Sequence, residues 1–327
     1  MGASEGFVQL APGVYRIDLP LGARLSAMFL FVGSERSVLL DTGCAGDLGA
    51  YVVPALAQLG VALDSVETVV VSHCDVDHSG GIADVHRYLP QASVVAHRLD
   101  ADAMESLEAF ELERSRSFRA AYGFDEEPEA VAWTRSAAGF GPVNRRLDGD
   151  EEIDLGDRVL HVLQVPGHSA GHLAVHDPSV GLLAISDAIL GDAVPLADGT
   201  PAFPPTYRFE RSYLATIERV RELAPTLLAT AHYGVFEGAA VGDFLDTSRD
   251  FALGLRRAVR DAVVAAQGGL RLTDLVSGLN TTFGTWPREG TTSALAFPVV
   301  GHIEALVEDG ELRLKPAADG VLIEGEE

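Results

Sequence analysis

The chain has 327 residues, 47% of them hydrophobic, enough for one large domain and a small one around a substantial core. Its 48 acidic against 24 basic residues give a formal net charge of −24, which repels phosphates and speaks against nucleic acid or an anionic membrane as partner. Two cysteines, Cys44 and Cys74, are too few for a disulfide framework and fit a reducing compartment, so a cytoplasmic location is expected.

No basic stretch followed by an apolar core marks the amino terminus as a signal peptide, and no run of 18 or more apolar residues predicts a membrane span. The opening Met-Gly-Ala-Ser loosely fits a myristoylation pattern, but Gly6 stands where that pattern needs Ser or Thr. Short β-rich runs follow at Val14–Ile17, Ala27–Val32 and Ser37–Leu40, separated by turn residues, and the last ends at Asp41-Thr42-Gly43. Leu48–Leu59 keeps an apolar face and reads as a helix, with Pro54 awkward inside it. Thr68–Ser72 is a strand whose Val69-Val70-Val71 centre predicts burial on both faces. A helix over Ile82–Leu89 and a strand over Ser93–Ala96 come next.

Residues 99–140 break the alternation and read as a helical insertion, with a charged helix over Ala103–Phe118. Strands resume within Glu151–Val165, at Leu173–Val175 and at Leu182–Ser186; a helix over Ser212–Leu223 and a strand over Thr226–Ala229 complete the unit. Two such units predict an α/β fold in which two stacked sheets carry helices outside, an αββα sandwich over residues 1–245. Residues 246–327 change character: helices over Arg249–Ala266, Leu272–Leu279 and within Ser293–Val307, with Pro298 in the first turn of the last, then a strand at Glu311–Leu314. That order is winged-helix-like, yet its third helix carries no Lys or Arg, so a docking role is expected instead of DNA binding.

The densest chemical signal is Ser72-His73-Cys74-Asp75-Val76-Asp77-His78-Ser79-Gly80-Gly81, at the end of a buried strand. Loops leaving such strands aim side chains at one point, and clustered Asp and His there need pairing or a metal. His168, Asp187 and His232 each follow another apolar strand, so one sheet edge collects all of these side chains. Cys74 alternates with the ligand-type residues and points away. Cys44, next to Asp41-Thr42-Gly43, is weighed as a site neighbour, and His172 as a packing group behind His168. His86, His97, His161, His176 and His302 read as structural or surface residues. Tyr207 and Arg208 are candidates for substrate contact.

These motifs, in order over residues 8–240, resemble the metallo-β-lactamase superfamily. The resemblance implies a hydrolase with two divalent metal ions, zinc being expected and iron or manganese possible. His73, Asp75 and His168 would hold the first ion, Asp77, His78 and His232 the second, Asp187 would bridge them, and Asp41 would orient the ligand loop. The pair would generate a bridging hydroxide that attacks a small ester, thioester, lactone or phosphoester, with Asp77 orienting the water or taking a proton. One position departs from the family's His-x-His-x-Asp-His: Asp75 stands for the second histidine. An aspartate oxygen is as many bonds from Cβ as the imidazole Nδ1, so it reaches the ion without moving the backbone. The extra carboxylate lowers the site's charge and favours harder metals, which supports a non-haem diiron oxidoreductase as the alternative. A small-molecule substrate, with no nucleic-acid or membrane partner, is expected.

Overall fold

In the computed structural model, residues 6–266, 268–318 and 320–326 are described; the lipidation-like start lies outside them. The first sheet opens with β1 (Val8–Ala11), β2 (Val14–Leu21), β3 (Arg24–Val32) and β4 (Ser37–Leu40), antiparallel in succession. The expected helix over 48–59 is two pieces, a π-helical stretch at Leu48–Val52 and then α1 (Val53–Leu59). Pro54 accounts for the break, because it falls in the first turn of α1, where a missing N–H costs nothing.

Next come β5 (Val66–Val70), α2 (Val76–Ser79), α3 (Ile82–Tyr88) and β6 (Ser93–His97). The insertion supplies α4 (Arg98–Glu105), α5 (Leu107–Glu113), α6 (Arg119–Tyr122) and α7 (Pro128–Ala137) before β7 (Arg145–Leu147) closes the sheet. From β4 to β7 the pairing is parallel. The single helix expected over 103–118 is divided at Ser106, whose hydroxyl accepts from the Ala109 amide and starts a new helix.

The second sheet is built from β8 (Glu151–Asp154), β9 (Val159–Gln164), β10 (Leu173–Asp177) and β11 (Leu182–Ser186). A small hairpin, β12 (Val194–Pro195) with β13 (Pro201–Phe203), and α8 (Glu210–Leu223) precede its last strands, β14 (Leu227–Thr230) and β15 (Val235–Glu237). Strand order is β15-β14-β11-β10-β9-β8, with β11 and β14 parallel. Phe29, Phe31 and Val70 of the first sheet meet Leu160, Val175 and Ala184 of the second in a dry interior. α1, α3 and α4 cover the outer face of the first sheet, and α8 covers that of the second. This is the expected αββα sandwich.

The carboxy-terminal elements are α9 (Ala239–Ala265), α10 (Leu272–Thr282), α11 (Thr292–Glu308) and a hairpin of β16 (Leu312–Ala317) with β17 (Gly320–Gly325). An isolated bridge joins Leu270, between α9 and α10, to Ile323. α11 begins at Thr292, so Pro298 lies inside it and not in its first turn. Leu295, Val299, Val300, Ile303 and Leu306 of α11 share one core with Ile185 and Ile217 of the sandwich. Gly301 allows that approach: a Cβ there would stand 2.4 Å from the Arg208 carbonyl oxygen. Around it Tyr207 Oη lies 2.6 Å from His302 Nε2, His302 Nδ1 lies 3.1 Å from Glu210, and Arg208 pairs with Glu304 at 2.6 Å. Among the described residues no helix is long and apolar enough to cross a membrane.

Candidate metal centre

Each candidate ligand sits just beyond the end of a strand: the His73–His78 loop after β5, His168 after β9, Asp187 after β11 and His232 after β14. Asp41, after β4, is their common anchor. Its φ of 72° is strained for a residue with a side chain, and a fully buried carboxylate justifies it. Asp41 Oδ1 accepts from the Ser72 amide at 2.7 Å; Oδ2 accepts from Ser186 Oγ at 2.9 Å and lies 2.9 Å from His78 Nδ1. Ser186 itself has a φ of 49°, so two strained residues support one another through that hydroxyl.

These contacts fix which imidazole nitrogen faces the centre. Ser72 Oγ donates to Ser186 Oγ at 3.0 Å and lies 2.9 Å from His73 Nδ1. With its proton committed to Ser186, that hydroxyl can only accept from His73, which leaves Nε2 with a lone pair. The same holds for His232, whose Nδ1 at 2.7 Å from the Leu25 carbonyl can only donate. A chain of donors therefore runs from His73 through Ser72 and Ser186 to Asp41, while His78 reaches Asp41 directly.

The donor set fits metal ions. Two groups, His73 with His168 and Asp187, and Asp77 with His78 and His232, present ligand atoms within 4.8 Å of one another. His78 Nε2 lies 3.4 Å from Asp77 Oδ2, His232 Nε2 3.1 Å from Asp187 Oδ2, and His168 Nε2 3.1 Å from Asp75 Oδ2. Two ligands at ~2.1 Å around one tetrahedral ion stand roughly 3.4 Å apart. His73 Nε2, His78 Nε2, Asp75 Oδ1 and Asp187 Oδ1 are buried with no hydrogen-bond partner, a costly state that an ion relieves. Burial and the neighbouring His78 and His168 pull the His73 imidazole down to about 4, which favours its neutral form near neutral pH. Burial opposes ionisation of Asp187, yet His232 and His78 hold its carboxyl well below the usual range.

Asp75, expected beside His73 and His168, falls outside both groups and lies at the edge of the first, its Oδ2 3.1 Å from His168 Nε2. His172 belongs to neither group either; its ring stacks on His73 at 4.6 Å between centroids and 18° between planes. Cys74 is buried in the core on the far side of the loop. Cys44 packs beside Val76, and burial, then Asp77, push its thiol up to about 12, so no thiolate is on hand. Tyr207 is fully buried and, like Arg208, engages α11, so neither reaches the centre.

Two residues carry no sequence signal. Asp100, in α4, accepts from Ser169 Oγ at 2.5 Å and from the Gly171 amide at 2.7 Å, fixing the loop that bears His168. Arg114, at the end of α5, donates to Asp75 Oδ2 at 2.8 Å. Both lie in the stretch that reads only as helix, and their partners are distant in sequence.

The centre forms the floor of a cavity of about 810 Å³. Phe110, Arg114 and Trp133 of the insertion form one wall, and Ala294 and Phe297 of α11 another. The walls touch: Phe118 and Phe297 rings lie 5.0 Å apart, and Ser293 Oγ donates to Glu127 Oε2 at 2.6 Å. Glu126, Glu127, Glu129 and Glu289 also line the cavity.

A two-sheet sandwich with paired His/Asp groups at one edge defines a class of metal-binding α/β proteins. The model of the metallo-beta-lactamase superfamily matches residues 21–232, and the chain belongs to that superfamily. An acyl-coenzyme A thioesterase from Bos taurus is 30% identical over 210 residues, 60% of this chain and 67% of that protein. A hydroxyacylglutathione hydrolase from Fuscovulum blasticum is 28% identical over 131 residues, 39% of this chain and 44% of that protein. The crystal structure of a metallo-beta-lactamase family protein from Thermus thermophilus superposes with a TM-score of 0.74 at 21% identity, covering 97% of this chain and all of that one. Its fold thus extends through the carboxy-terminal elements.

Proposed function

We propose that this hydrolase of the metallo-β-lactamase fold cleaves a small ester or thioester in the cavity between insertion and tail. The observation that carries the reading is the convergence of unpartnered ligand atoms on the floor of a cavity whose walls mix aromatic and charged side chains. Divalent ions held there, zinc in this proposal, supply Lewis acidity and make water acidic enough to act as a nucleophile near neutral pH. His73, Asp75, His168, Asp77, His78 and His232 hold them, with Asp187 between the groups. Asp77 faces the cavity and is the group placed to orient water or take its proton. Phe110, Trp133 and Phe297 exclude bulk water and hold an apolar acyl group.

Glu126, Glu127, Glu129 and Glu289 outnumber Arg24 and Arg114 in the lining, which disfavours substrates with several negative charges, so an uncharged ester or thioester fits better than a phosphoester. The carboxy-terminal unit, helix–bridge–helix–helix–hairpin, is winged-helix-like and serves as a wall of the cavity. Its third helix turns its apolar residues to the sandwich, which fits no nucleic-acid role, and the acidic chain is assigned to the cytoplasm. The test is hydrolysis of a matched panel of short acyl esters, acyl thioesters of a neutral thiol, acyl-coenzyme A and phosphoesters, before and after chelation. Chelator-sensitive turnover, fastest on the neutral substrates, is expected. Turnover that survives complete metal removal would overturn the reading.

A further inference from the structure

Asp75 adds a negative charge where the superfamily pattern has a neutral histidine, and by itself would make the first ligand group more anionic. The neighbourhood of that carboxylate changes the sum. Arg114 Nη2 lies 2.8 Å from Asp75 Oδ2, the same oxygen that stands 3.1 Å from His168 Nε2 and 3.6 Å from His73 Nε2. The Arg114 side chain is only 11% exposed, and its guanidinium lies 4.3 Å from the centre of the Phe297 ring. A guanidinium stacked on an aromatic face and bonded to a carboxylate is held in place and always charged. Asp75 Oδ2 is thus shared between the arginine and the two imidazole Nε2 atoms, while Oδ1 is buried and unpartnered.

We propose that Arg114 is a positioning residue that neutralises Asp75, so that the Asp75–Arg114 pair replaces the missing histidine as an electrically neutral unit. The inference rests on the metal-site reading above and extends it: the insertion, through one arginine clamped by the tail, sets the charge and hence the metal preference of the first group. The pair offsets the added charge, so the part of the hard-metal preference that comes from charge is reduced, although the donor remains an oxygen. Zinc then stays competitive with manganese or iron, and the diiron alternative is weakened.

The experiment is a metal-binding cycle on the full chain with wild type, Arg114→Met, Asp75→His and the double variant. Each is stripped, reloaded with zinc and manganese in competition, and read by metal content and titration calorimetry, with circular dichroism as the check on folding. Arg114→Met should shift first-group selectivity towards manganese by about tenfold, the scale on which groups supporting a ligand act. Asp75→His alone should weaken the first ion by a similar factor, because an unpaired arginine then faces it, and adding Arg114→Met should restore zinc binding. Arg114→Gln, which keeps a donor to Asp75 without the charge, is the variant to use if the methionine form does not fold, and it should show the same shift towards manganese.

Additive effects of the two substitutions would overturn the proposal. So would a raised KM in Arg114→Met with metal content and selectivity unchanged, which would make the arginine a substrate anchor. Failure of the metal-site reading looks different: wild type itself would then hold no ion in the first group.

Discussion

The two ligand groups lie at the same sheet edge but draw on different parts of the chain. Asp77, His78 and His232 come from the sandwich alone, and their orientation depends on Asp41 and the Leu25 carbonyl. In the first group His73 is oriented through two serine hydroxyls and the His168 loop is held by Asp100, while the adjoining Asp75 is shared with Arg114. The contrast teaches that the second group is fixed by the fold, whereas the first takes its properties from whatever is inserted next to it.

The comparison can be broken at several points. The largest effect is expected from His78→Ala or His232→Ala, which should lose the second ion and reduce turnover to background while circular dichroism stays native. An intact metal content in either variant would remove that residue from the ligand set. Asp41→Asn, which tolerates the left-handed backbone, should weaken both ions by about 10- to 100-fold in calorimetric titration. Ser72→Ala should sharpen the contrast: it breaks the donor chain to His73 only, so the first ion should weaken by about tenfold and the second should not. Equal losses would mean that the hydroxyl chain does not separate the groups.

Smaller effects should come from outside the centre. Tyr207→Phe removes one buried hydrogen bond to His302 and should cost about 1 kcal/mol. That lowers Tm by about 2 °C and leaves KM unchanged, because Tyr207 does not line the cavity. The smallest concerns Asp100, whose carboxyl burial pushes up to about 6 from an ordinary 3.8. The folded chain therefore holds a proton that the unfolded chain releases, and stability gains as pH falls from 6 towards 3.8. Asp100→Asn keeps an acceptor for Gly171 but does not titrate. The Tm difference between wild type and this variant should grow in favour of wild type across that window, and a flat difference would refute the assignment.

Much of this is legible in the sequence because it is written in local pattern. The apolar runs ending in His or Asp foretell the sandwich and bring together the candidate ligands His73, His78, His168, Asp187 and His232. What escapes is set by contacts between distant segments. Nothing near Arg114 marks it as the partner of Asp75, and the charge sum drawn from Asp75 alone is incomplete without it. Tyr207 and Arg208 look like substrate contacts because they sit in a loop between two ligands, but α11 takes both of them. Pro54 and Pro298 sit elsewhere in their helices than expected, since a helix start depends on the turn before it as much as on the proline.

The contacts between Phe118 and Phe297 and between Glu127 and Ser293 join the insertion to α11 over the metal centre. Near its other end the insertion is stitched to two loops of the sandwich: the Gly139 amide donates to the Gly80 carbonyl at 2.7 Å, just past the ligand loop, and the Ala45 amide, after β4, donates to the Ala137 carbonyl at 2.7 Å. The two walls thus behave as an arch with both feet fixed. Opening one side on its own would break either the ring contact and hydrogen bond at the crown or the amide bonds at the foot, so the two walls are expected to move together.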